Sequence, residues 1–314
     1  MMHASTFIAF VAIPLYVLGS FTSSFWLRDM TPAPDPEPIL ISIVGDMMFD
    51  RYIRERAEIM GYDAILEDTL PLFASSTYVL GNLEGPITTF TSVSDYRDPG
   101  PNHFRFTFAT TVAATLANAG FSAVTLANNH ILNFGSEGLV QTKQWLEAAG
   151  VGHTGSPAEA YVPWRSDAHG IPIAVFGYDD WISNDVEKLA GRIAEEPEGV
   201  FVIVLAHWGR EYEALPTNIQ QTTAHTLVDA GANLVVGAHP HVIQSKEQYG
   251  GAWIYYSLGN FVFDQYFNPA VRCGAVITMT VEPDLSYTVE EAFIELARNG
   301  ATVRSDCATE VPLL

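Results

Sequence analysis

Five apolar runs of strand length, at residues 39–44, 78–80, 121–126, 199–205 and 234–236, each break off at a turn carrying a carboxylate, amide or imidazole. These turns hold Asp46, Glu84, Asn129 with His130, His207, and His239 with His241. Between the runs lie stretches of helical spacing at residues 50–60, 111–119, 136–149 and 218–230, and Gly120 and Gly150 follow two of them as C-cap residues. Strands alternating with helices predict an α/β fold. In open α/β sheets functional groups collect at the carboxyl ends of the strands, where the loops share one edge. The five ends are therefore expected to converge on one site.

The last of these ends is the sharpest. An apolar run, residues 233–236, leads into Gly237-Ala238-His239-Pro240-His241. In an extended backbone residues two apart project to the same side, so both imidazoles are expected to aim at one point. Pro240 fixes its own φ and offers no N–H, which marks where the strand leaves its sheet. An isolated His-x-His is also an ordinary turn. Taken with the other four ends, the set of carboxylate, imidazole and amide suits two divalent metal ions. A carboxylate bridging two such ions permits activation of water for attack on a phosphorus centre.

Thirty-six acidic residues against 15 basic ones give a formal charge of −21, with no basic stripe. Nucleic-acid binding through phosphate contacts is excluded as the main function. An anionic substrate must instead be met by metal ions or a few arginines. Arg51, one helical turn beyond Asp46, reads either as a clamp on a bound anion or as the partner of Glu55. Asp264 and Gln265 read either as residues orienting a ligand or as a turn between strands, and Trp208 as packing. His3, His103, His153, His169 and His225 lie outside the strand-end pattern. Cys273 and Cys307 belong to no Cys-x-x-Cys pattern, which excludes a zinc knuckle; a disulfide and two buried thiols both remain open.

Residues 4–27 contain no charged side chain and are long enough to cross a bilayer, with Phe25 and Trp26 at one end. Residues 1–30 are read as a membrane anchor, with a cleaved signal peptide as the alternative, because Gly19, Ser20, Thr22 and Ser24 offer small residues for processing. Residues 31–38 alternate proline with small or acidic residues and form an extended spacer. No repeat or second linker interrupts residues 39–314, so one domain is expected there, carried at the membrane and facing away from the cytoplasm.

Six stretches now stand in order: Gly45-Asp46-Met47-Met48, Gly81-Asn82-Leu83-Glu84, Asn128-Asn129-His130, Ala206-His207-Trp208-Gly209, Gly237-Ala238-His239-Pro240-His241 and residues 257–265. Together they resemble the motifs of the CapA, or poly-γ-glutamate capsule synthesis, family of the calcineurin-like metallophosphoesterase superfamily. The resemblance covers nearly everything after the spacer. It implies a four-layer α/β/β/α sandwich of two mixed sheets, two divalent ions (Mn, Fe or Zn) and phosphoester hydrolysis in the making of a cell-surface polymer. It also implies a phosphoester or anionic polymer as substrate and capsule-synthesis membrane subunits as partners. By the same resemblance Asp46 binds the first metal and Glu84 bridges. Asn129, His207 and His239 bind the second metal, His241 completes the first, and His130 is the catalytic histidine. One departure matters: the superfamily's first motif is Asp-x-His, and here position 48 is Met, a poor ligand for such ions. That weakens the first site and leaves two alternatives, an accessory subunit that binds or exports the polymer without catalysis and an amide hydrolase of the polymer.

Overall fold

The structure is a computed structural model that describes residue 1 and residues 37–97, 100–308 and 310–314. Apart from residue 1, the expected anchor lies outside the described residues, as does the spacer up to residue 36. Among the described residues no helix is long and apolar enough to cross a membrane.

In chain order the first half contains β1 (Ile39–Met47), α1 (Arg51–Met60), α2 (Leu70–Phe73), β2 (Tyr78–Leu83), α3 (Thr111–Asn118), β3 (Ala123–Thr125), α4 (Gly135–Ala149), β4 (Gly152–Thr154) and β5 (Trp164–Ala168). The second half contains β6 (Ile171–Asp179), α5 (Val186–Ala194), β7 (Phe201–His207), α6 (Asn218–Asp229), β8 (Leu234–Ala238), β9 (Lys246–Tyr249) and β10 (Ala252–Tyr255). It closes with β11 (Asn260–Val262), α7 (Pro269–Arg272), β12 (Cys273–Val281), β13 (Tyr287–Leu296) and β14 (Thr302–Arg304).

The strands form two mixed sheets. One runs β14-β13-β12-β1-β2-β3-β4, with β11 added in parallel at the end of β1; the other runs β5-β6-β7-β8-β10-β9. In the first, β1 to β4 are parallel and β12 to β14 antiparallel. In the second, β6, β7, β8 and β10 are parallel, and β5 and β9 are antiparallel edges.

Side-chain alternation explains how the sheets stack. Ile39, Ile41 and Ile43 of β1 pack with Ile173, Val175, Ile203 and Leu205 of the other sheet in a core between the two. Val44 and Met47 belong to a second core, which holds Ile53 of α1, Leu116 of α3 and Leu146 of α4. On the far side Ala174, Phe176 and Val204 meet Leu189 and Ile193 of α5 and Ala224 and Leu227 of α6. Three apolar layers between four layers of secondary structure give an α/β/β/α sandwich. Strands covered on both faces read as unbroken apolar runs, which is why the central ones are visible in the sequence.

The helix ends follow their local chemistry. Thr217 and Gln220 close a capping box at the start of α6, and Gly150 ends α4 in the left-handed conformation. One close approach depends on a missing side chain: a Cβ on Gly45 would sit 1.9 Å from the Gly259 carbonyl oxygen. The pairing register of β1 shifts beside this point, and Asp46 comes opposite Asn260 of β11. Cys273, opening β12, is joined to Cys307, beyond β14, in a disulfide 34 residues apart. Of the two readings open for these cysteines, the bonded one holds.

Two stability tests follow. Replacing both cysteines by serine should lower unfolding free energy by about 2–4 kcal/mol in chemical denaturation, since closing such a loop constrains the unfolded chain. Gly45→Ala should cost more than the ~1–3 kcal/mol typical of overpacking, because its obstacle is backbone that cannot rotate away; a loss below 1 kcal/mol would show that β11 is free to move.

Candidate metal centre

The ligand-bearing ends come from two sheets, not from one shared edge as the strand pattern suggested. Asp46 in β1, Glu84 after β2 and Asn129-His130 after β3 belong to the first sheet; His207 closing β7 and His239 and His241 after β8 belong to the second. Face-to-face packing sets the two carboxyl edges side by side. The His239 amide donates to Asp46 Oδ2 at 2.9 Å across 193 residues of chain. The Asn82 Nδ2 group donates to Asp46 Oδ1 at 2.7 Å and to His207 Nδ1 at 3.0 Å, which ties the sheets together at the same point.

The His-Pro-His segment is not extended. β8 ends at Ala238, as Pro240 requires, but His239 and His241 both adopt positive φ, 93° and 59°. A left-handed turn rather than strand alternation brings the rings together, 5.9 Å apart. Such backbone is costly for non-glycine residues and persists where the surroundings hold it. Here the His239 amide is fixed on Asp46, and the Pro240 carbonyl accepts from the Tyr212 amide at 2.8 Å.

Hydrogen bonds also set the state of each imidazole. Asn260 donates through Nδ2 to the carbonyls of His241 and Val271 and to Gln265 Oε1, which leaves its Oδ1 to accept from His241 Nδ1 at 2.9 Å. His241 Nε2 lies 3.9 Å from Glu84 Oε1. His130 Nδ1 donates to Asn133 Oδ1 at 3.1 Å, and the same oxygen accepts from the Phe106 amide. His130 Nε2 then accepts from Asn129 Nδ2 at 3.3 Å and lies 3.7 Å from Glu84 Oε1. Asn129 Oδ1 lies 3.0 Å from His207 Nε2.

Glu84 is the anomaly. Both carboxylate oxygens and His239 Nδ1 are buried without a hydrogen-bond partner among the described residues. Burial, with the charges of Asp46 and Glu211, holds the Glu84 carboxyl well above its usual range. Burial acts on Asp46 in the same sense, but bonds and charges from His207 and His241 outweigh it and keep Asp46 ionised. Burial lowers His130 to about 3, and burial with the charges of His207 and His241 lowers His239 to about 2. Imidazole and amide groups around buried, under-partnered carboxylates make a donor set that a divalent cation would satisfy. The spacings near Glu84 exceed a hydrogen bond and suit two ligands of one ion at ~2.0–2.2 Å each.

Distances sort the His and carboxylate ligand atoms into two groups, Asp46 with Glu84 and His207, and Glu211 with His239 and His241. The resemblance paired His207 with His239 and His241 with Asp46. Glu211 was not anticipated: it is exposed on the loop four residues past His207, where only its short spacing from that histidine could have marked it. The end of β6 was missed too. Asp179 accepts from the amides of Trp181, Ile182 and Ser183, and the turn it closes lays Trp181 over His239 at 4.5 Å. The run ending in Asp179-Asp180 was the available signal.

Met48 is fully buried, and its sulfur accepts from the Asp50 amide at 3.0 Å. Trp208 packs as expected, its indole N–H donating to the Tyr256 carbonyl. Arg51 does not pair with Glu55, which binds Arg97 instead; it is ion-paired with Asp264 and bonded to His103 at 3.1 Å. Its helix is too crowded by these partners for the i,i+4 pair. Asp264 thus holds an arginine, Gln265 steadies Asn260, and His103, read as ordinary, belongs to the surroundings of the site. His225 pairs with Glu247 away from it, and His3 lies outside the described residues.

Comparison with known proteins shows the family of the chain. The sequence pattern of the bacterial capsule synthesis protein PGA_cap family matches residues 40–265. The PGA biosynthesis protein CapA of Bacillus subtilis (strain 168) is 32% identical over 279 residues, 82% of this chain and 72% of its own. The capsule biosynthesis protein CapA of Bacillus anthracis is 29% identical, over 81% of this chain and 68% of its own. A protein of Mycobacterium tuberculosis (strain CDC 1551 / Oshkosh), described as a probable polyglutamine synthesis accessory protein, is 29% identical over 64% of this chain and 58% of its own. The match spans every strand end described above, and the chain belongs to the bacterial capsule synthesis protein PGA_cap family.

Proposed function

We propose that this protein is a metal-dependent phosphoesterase acting in the assembly, modification or release of an anionic cell-surface polymer such as poly-γ-glutamate. The observation that carries the reading is Glu84, a buried carboxylate with no donor on either oxygen among the described residues, grouped with Asp46 and His207 and 3.9 Å from His241. Asp46, Glu84, Asn129, Glu211 and the three histidines would hold two divalent ions of the Mn, Fe or Zn class. Bound there, such ions would polarise a phosphoester and lower the pKa of water. His130 presents a lone pair at Nε2 and can take up a proton there; once protonated it can pass that proton to a leaving oxygen. Asn133 fixes its orientation and the Phe106 ring, 4.5 Å away, screens it from water. The Cys273–Cys307 disulfide suits an oxidising compartment, in keeping with a domain carried outside the cytoplasm on a membrane anchor, beside capsule-synthesis membrane subunits.

A second reading, an accessory subunit that binds or exports the polymer without catalysis, is favoured by Met48, whose sulfur is turned away into the core. Mutation separates the two. Glu84→Gln should remove most bound metal and all phosphodiester or phosphomonoester turnover. His130→Ala should keep its metal while kcat falls about 10²–10⁴-fold, the usual contribution of a positioned acid or base. Turnover unchanged by either substitution, or metal without turnover in the unaltered protein, would favour the accessory reading.

The carboxylates also fix a pH dependence. Glu84 ionises well above its ordinary 4.5 in the metal-free fold, so from pH 4.5 up to that raised value the unfolded chain has lost a proton that the folded chain keeps. The metal-free fold therefore loses stability as pH rises through this window. A divalent cation takes the place of that proton, so the rise in Tm on adding Mn²⁺ should grow with pH. A metal-induced shift independent of pH would contradict the assignment of Glu84.

A further inference from the structure

A cavity of about 540 Å³ opens beside the candidate metal centre. It adjoins the centre through two aromatic contacts: the Tyr212 ring lies 6.1 Å from His241, and Arg51, on the cavity wall, lies over Phe106, which covers His130. Arg51 is 6% exposed, and its Nε is buried without a partner, although Asp264 and His103 engage its other nitrogens. His103 Nδ1 donates to the Asp95 carbonyl at 2.8 Å, so its Nε2 accepts from Arg51 and the guanidinium is held from both sides. At the rim stands Arg298, exposed, whose guanidinium makes no ion pair or hydrogen bond among the described residues.

Apart from His103, the lining carries two arginines against the single carboxylate of Asp264, one net positive charge. That balance matches a monoanion and leaves a dianionic phosphate under-neutralised. The exposed rings of Phe104 and Phe267 offer walls for methylene groups, and Arg offers a planar fork for a carboxylate. On a chain with formal charge −21 such a cationic pocket stands against the general field.

We propose that this cavity binds a carboxylate on the substrate chain, one or more units away from the group that reaches the metal centre, with Arg298 as its cationic contact and Arg51, already held by Asp264 and His103, adding charge from the wall. The proposal rests on the reading of the substrate as an anionic polymer, but not on the metal chemistry. Its test is titration calorimetry of the full chain with a γ-linked glutamate pentamer. Arg298→Gln should weaken pentamer binding about tenfold, the worth of one charge-assisted hydrogen bond. Arg298→Lys should recover part of the loss, with metal content unchanged in both. The Arg298 dependence should persist in a Glu84→Gln background, which separates failure of the metal reading from failure of this one. No pentamer binding to the unaltered protein, equal affinity in Arg298→Gln, or loss of the dependence in Glu84→Gln would overturn the proposal. So would inorganic phosphate that displaces the pentamer from the unaltered protein but not from Arg298→Gln, which would make the cavity a phosphate site.

Discussion

Burying a carboxylate without a donor is among the costlier things a fold can do, and the arrangement around Glu84 is organised by that cost. Its two oxygens meet no N–H or O–H, and beside it Asp46 is buried as well. Asp46 is satisfied from both sheets, by Asn82 on one and by the His239 amide on the other. Near Glu84 stand the imidazole nitrogens of His130 and His241, at 3.7 and 3.9 Å. Lone pairs facing a carboxylate repel one another unless a cation or a proton stands between them.

The two sheets supply the rigidity this requires. Each carries half of the donors on parallel strands, and the apolar layer between them fixes their relative position. Gly45 lets the Gly259 backbone approach β1 closely, which places Asn260 beside Asp46 and within reach of His241. A chain of hydrogen bonds then runs from His241 through Asn260 and Gln265 to Tyr212. Tyr212 stands on the wall of the neighbouring cavity, so the orientation of a candidate ligand and the shape of the candidate substrate cleft share supports.

Much of this was legible in the sequence because buried parallel strands announce themselves as apolar runs and end where a polar residue appears. Asp46, Glu84, Asn129, His130, His207, His239 and His241 were all found by that rule. What the rule could not see was tertiary. Two sheets rather than one edge bring the ends together, a fact set by which strands pair and invisible in any single run. The His-Pro-His turn uses left-handed backbone, which no extended periodicity predicts. Trp181 reaches His239 only because Asp179 caps a turn with its side chain, and Glu211 belongs to an exposed loop with no pattern of its own. The edge strand β5, with its alternating intermediate and exposed residues, carried too little apolar signal to be read, whereas α5 was missed although Val186, Leu189 and Ile193 stand at helical spacing.

The most direct test of the central claim is metal stoichiometry of the full chain by elemental analysis, joined to anomalous scattering from crystals grown with Mn²⁺. Two ions per chain are expected, with Glu84, His239 and His241 among the residues that hold them. A single ion away from Glu84, or a metal-free chain in which Glu84 remains without a partner, would contradict it.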